Sequence, residues 1–79
     1  MHYPYKINSQ EDLYKLSELA SHEDFSIYIS TSSAMLDAKS LLALFTILGK
    51  EVSIVAPDHV DSAKFGKFID KLSKNTNSK

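Results

Sequence analysis

Asp37-Ala38-Lys39-Ser40-Leu41-Leu42-Ala43-Leu44-Phe45-Thr46-Ile47-Leu48-Gly49 is the stretch on which the fold turns. Serine is a favoured helix N-cap and glycine a favoured terminator, so Ser40 and Gly49 bracket an apolar helix over residues 41–48. That length falls far below the ~18 residues a membrane span needs. A helix so apolar must instead be buried, or it must offer a face to something else.

Both flanks supply strands for it to lie on. Upstream, Phe25, Ile27 and Ile29 alternate with Ser26, Tyr28 and Ser30, which predicts a strand with one buried face over 25–30. Thr31-Ser32-Ser33 reads as a turn into a short strand over 34–38. Downstream, Val52, Ile54 and Ala56 alternate with Glu51, Ser53 and Val55, and Pro57-Asp58 breaks that strand. Asp58 with Asp61 makes a box-like start for a helix that buries Phe65, Phe68, Ile69 and Leu72. Lys64, Lys67, Lys71 and Lys74 then face water, with Asp61 and Asp70 as their partners.

The N-terminal part completes the pattern. Tyr3, Tyr5 and Ile7 alternate with Pro4 and Lys6 in a strand whose proline belongs at a sheet edge. Asn8-Ser9-Gln10-Glu11-Asp12 offers caps and acids to the positive end of a helix dipole. Leu13, Leu16, Leu19 and Ala20 lie at helical spacing over 10–21, and His22-Glu23-Asp24 closes that helix. The order strand-helix-strand-strand-helix-strand-helix predicts an α+β two-layer sandwich, a four-stranded mostly antiparallel sheet covered by three helices. One domain is expected over 1–74, followed by a disordered polar tail at 75–79.

Composition narrows the function classes. The 79 residues hold one core, and 43% apolar with 24% charged content is that of a globular chain. No apolar run spans a membrane, and the N-terminus lacks a basic-then-apolar signal pattern. Without cysteine there is neither a disulfide framework nor a thiolate site, which fits a cytoplasmic protein. All nine basic residues are lysine and the net charge is −1. With no arginine fork for phosphate or guanine, nucleic acid is not an expected partner, although Tyr5 and Tyr28 could stack bases. His2, His22 and His59 have no metal-ligand spacing, so no metal and no cofactor are expected.

The element order and several local pieces resemble HPr, the small histidine phosphocarrier family of the sugar phosphotransferase system. The resemblance spans residues 3–74. It rests on the 16–20 helix face, the 25–29 strand, Ala38-Lys39-Ser40-Leu41, Gly49-Lys50-Glu51-Val52-Ser53-Ile54 and Asp58. It implies an HPr-like open-faced sandwich. HPr proteins carry a His-Ala-Arg-Pro motif at the start of the first helix, where the histidine accepts phosphate. This chain reads Ser9-Gln10-Glu11-Asp12 there, in a shortened loop without the family's glycine. Ser9 occupies the histidine's place, and Glu11 and Asp12 would repel a phosphate by about 1 kcal/mol each. No catalytic residue and no histidine phosphotransfer are expected.

What remains is regulatory. Ser40 matches the serine that HPr kinase phosphorylates in many relatives, and a phosphate there would gain from the amides of the second helix. Its plainer reading is a helix cap, a role worth about 1 kcal/mol. The resemblance also implies that Leu41, Leu42 and Phe45 form an outward partner-binding face flanked by Tyr14, Ser17 and Glu18, with Leu44, Ile47 and Leu48 facing the sheet. The competing reading is burial of the whole helix, or pairing with a second copy in a homodimer. The expected function is a non-enzymatic, protein-binding module associated with phosphotransferase-system components or regulators. A phosphocarrier using Ser9 or a displaced histidine is one alternative. A structural or oligomeric α+β module unrelated to sugar uptake is the other.

Overall fold

Alternation in residues 51–56 decides which way the sheet faces: Val52, Ile54 and Ala56 are buried while Glu51 is exposed and Ser53 and Val55 are half-covered. The computed structural model describes residues 1–75. Its elements are β1 (His2–Lys6), α1 (Gln10–Ser21), β2 (Tyr28–Ser30), β3 (Met35–Asp37), α2 (Leu41–Leu44), a 3₁₀ turn (Phe45–Ile47), β4 (Glu51–Val55) and α3 (Ser62–Asn75). The four strands lie in the order β1-β4-β2-β3, and every pairing is antiparallel. This is the expected α+β sandwich: helices cover one face and the other stays open.

Pro4 sits where proline costs nothing. Ala56 N donates to the Met1 carbonyl (3.0 Å) and Ile7 N to the Lys50 carbonyl (3.1 Å), so odd-numbered residues of β1 bond to β4. Pro4 is even-numbered on an edge strand, and its missing N–H points away from the sheet. Beneath the sheet, Leu13, Leu16 and Ala20 of α1 and Phe65, Phe68 and Leu72 of α3 form one core with Ile27, Ile29, Val52 and Ile54. Residues three and four apart on each helix thus share the buried face.

Several boundaries differ from the sequence expectation. β2 begins at Tyr28 rather than 25, although Ile27 remains buried and its carbonyl accepts a bond from Ala38 N at 2.9 Å. β3 is limited to Met35–Asp37 because the Thr31 side chain ties up the turn: Oγ1 accepts from Ser33 N at 3.2 Å and Ala34 N at 2.9 Å. α3 begins at Ser62, and Asp61 is its cap, with Oδ1 accepting from Ala63 N at 2.9 Å. Asp58 instead pairs with the N-terminal ammonium at 3.6 Å. The α3 lysines do not use Asp61 and Asp70: Lys64 pairs with Asp24 (3.6 Å) and Lys71 with Glu23 (3.7 Å), because α3 packs beside the end of α1. The expected tail loses Asn75, which ends α3, and the rest of it lies outside the described residues.

The second helix departs most. Its α-helical part is only Leu41–Leu44, and the chain tightens into the 3₁₀ turn before Leu48. At three residues per turn, Leu44 and Ile47 eclipse each other and both are buried. Leu48 falls off that face and is 42% exposed, against the expectation that it packs on the sheet. Gly49 then takes φ +85°, a conformation that favours glycine, and its N–H donates to the Ile7 carbonyl at 2.8 Å.

Candidate functional site

Ser9 is the N-cap of α1, in extended backbone, and its Oγ accepts from Asp12 N at 3.3 Å. Asp12 Oδ2 in turn accepts from Asn8 N at 2.8 Å. The helix N-terminus is therefore capped by its own chain, and the Asp12 carboxylate beside it opposes an incoming anion. Beside it an open cleft of about 530 Å³ is lined by Tyr3, Pro4, Tyr5, Lys6, Asn8, Ser9 and Asp12. Burial, then the Asp12 carboxylate and then Tyr3, push the Tyr5 phenol above its ordinary value.

None of the three histidines is brought to this end of α1: His2 is on β1, His22 caps the far end of α1, and His59 lies in the turn before α3. Among the described residues no group of His, Cys, Asp or Glu is arranged to hold a metal ion. No helix among them is long and apolar enough to cross a membrane.

Ser40 stands at the N-cap position of α2 with exposed surface, but its side chain makes no capping bond. The cap expectation is met by the backbone alone: the Ser40 carbonyl accepts from Leu44 N at 3.2 Å. Asp37 shapes the turn ahead of the helix, with Oδ1 accepting from Lys39 N at 2.9 Å, and no side chain caps α2 itself. A four-residue helix also offers little dipole, so the expected gain for a phosphate from helix amides is not built in.

The outward exposure expected of Leu42, Phe45 and Tyr14 is seen, and that of Leu41 and Ser17 is not. Leu42 is 83% exposed, Tyr14 46% and Phe45 38%. The Tyr14 and Phe45 rings meet edge-to-face, with centroids 6.1 Å apart and planes at 84°. Leu41, by contrast, is half-buried against the core. Ser17 is a correction: it is buried on the side of α1 that faces the β3–α2 connection, and its Oγ donates to the Lys39 carbonyl at 3.5 Å. Ser17 therefore faces the connection into α2 and not the outer surface. Leu48, unexpected here, is also exposed, in extended backbone just past the 3₁₀ turn that carries Phe45. The sequence signal was the adjoining Gly49, which permits a tightened last turn.

No protein-family profile matches this chain, and no curated protein sequence matches it. Among solved structures, it is similar to the crystal structure of HPr-C-His from Thermoanaerobacter tengcongensis. The TM-score is 0.73 at 13% identity, over 100% of this chain and 98% of that one. At that identity the likeness shows the fold, which is HPr-like.

Proposed function

We propose that this chain is a non-catalytic docking module on an HPr-like fold, associated with phosphotransferase-system components or regulators and carrying no phosphoryl group on histidine. The observation that carries the reading is the exposed apolar patch of Tyr14, Leu42, Phe45 and Leu48, whose two rings lock α1 to the 3₁₀ turn. The paired Tyr14 and Phe45 rings, already held against each other, lose little side-chain freedom on binding. The self-capped start of α1 supports the second half of the reading, since the Asp12 carboxylate beside the Ser9 cap opposes a phosphate there.

Ser40 is the regulatory element of this proposal. It is exposed, its hydroxyl is free of a capping bond, and it immediately precedes Leu41 and Leu42. Phosphorylation would set roughly two negative charges beside the patch and change which surfaces dock there.

Titration of isotope-labelled protein with enzyme I and with sugar-specific phosphotransferase domains tests the docking half. Chemical-shift changes at Tyr14, Leu42, Phe45 and Leu48, lost in Leu42→Asp, support it. Binding mapped to the open sheet face, or none to any of these proteins, overturns it. For Ser40, HPr kinase with ATP should add one phosphoryl group that Ser40→Ala abolishes. An unchanged mass removes the switch.

A further inference from the structure

The docking patch has an acidic rim. Glu11 precedes Tyr14 by three residues and Glu18 follows it by four, so both lie next to Tyr14 on the surface of α1. Both are exposed, and neither enters an ion pair among the described residues. The segment 40–49 of the patch bears no charged residue. The lysines that bracket it do not neutralise this rim. Lys39 turns its Nζ to the Glu23 carbonyl at 3.2 Å, Lys50 lies past Gly49 at the start of β4, and Lys15 on α1 has a contact of its own.

From this rim, and resting on the docking reading above, we infer that the occupant is a protein segment with an apolar anchor flanked by Lys or Arg. Its apolar side chains cover Leu42, Phe45 and Tyr14, and its cations stand opposite Glu11 and Glu18. The same rim disfavours the other occupants of an apolar patch. In a symmetric dimer each copy would bring its own Glu11 and Glu18 toward the other's, setting like charges together. An anionic membrane surface would meet the same two carboxylates.

Two short synthetic amphipathic peptides test this: one alternates leucine and lysine at helical spacing, and the other replaces each lysine with glutamate. Each is titrated into the labelled full chain. The Leu/Lys peptide should shift Tyr14, Leu42 and Phe45, and its affinity should fall as salt rises. It should also fall about tenfold in Glu11→Lys/Glu18→Lys, the order expected for two exposed ion pairs turned into repulsions. Equal binding of the Leu/Glu peptide at the patch leaves the docking surface standing and overturns the cationic partner. Shifts confined to α3, or to neither peptide at the patch, overturn both readings. Concentration-dependent self-association that Leu42→Asp abolishes assigns the patch to a second copy and overturns the inference.

Discussion

The Tyr14 ring on α1 stands at 84° to the Phe45 ring of the 3₁₀ turn, 6.1 Å away, and joins the two helical segments at the surface rather than in the core. Edge-to-face pairs contribute about 0.5–1.5 kcal/mol beyond their burial. A double-mutant cycle with Tyr14→Ala and Phe45→Ala, read by urea unfolding, should give a coupling energy in that range. Strict additivity would mean that the rings do not hold the patch together.

The two cap serines should behave differently. Ser9 accepts a bond from Asp12 N, so Ser9→Ala should cost about 1 kcal/mol. Ser40 makes no such bond, so Ser40→Ala should stay within about 0.5 kcal/mol. Equal losses in chemical denaturation would contradict this assignment of the caps.

Core and patch should separate in the same way. Leu16 is fully buried, and Leu16→Ala should cost about 2–5 kcal/mol. Leu42 is 83% exposed, and Leu42→Ala should change stability by no more than about 0.5 kcal/mol. A large loss at Leu42 would place that side chain in the core instead of on a docking face.

Alkaline pH should weaken the fold through Tyr5. Burial first, and then Asp12 and Tyr3, raise its phenol above the ordinary 10.0, so the folded chain holds the proton more tightly than the unfolded one. Its contribution is fully present below pH 10.0 and is lost as pH rises through the raised folded value. Tyr5→Phe should remove that part of the loss in an unfolding series above pH 10. Asp12→Asn should lower the Tyr5 titration seen by ultraviolet absorbance, while burial, the larger cause, keeps it above ordinary. A Tyr5 titration unmoved by Asp12→Asn would contradict the arrangement at the start of α1.

Much of the fold was legible because the relevant signals are local. Leu13, Leu16 and Ala20 at helical spacing behind Ser9 marked α1 at its observed limits, Gln10–Ser21. The period-two alternation of Val52, Ile54 and Ala56 marked β4 and its buried face. The second helix was less legible, since Leu44, Ile47 and Leu48 fit an α-helical face equally well. The choice of a 3₁₀ turn depends on tertiary bonds such as Gly49 N to the Ile7 carbonyl, 42 residues apart in sequence (49 − 7). Ser17 and Asp61 were misjudged for the same reason. Whether Ser17 points to solvent or to the Lys39 carbonyl, and which aspartate caps α3, follow from how α1, α2 and α3 meet.

The central claim is that an HPr-like fold is used here for docking and not for carrying phosphate. Its most direct test is intact-mass spectrometry after incubation with phosphoenolpyruvate and enzyme I, beside a phosphocarrier HPr as positive control. The account predicts an unchanged mass for this chain while the control gains a phosphoryl group. A phosphoryl group on Ser9, or on any of His2, His22 and His59, would contradict it.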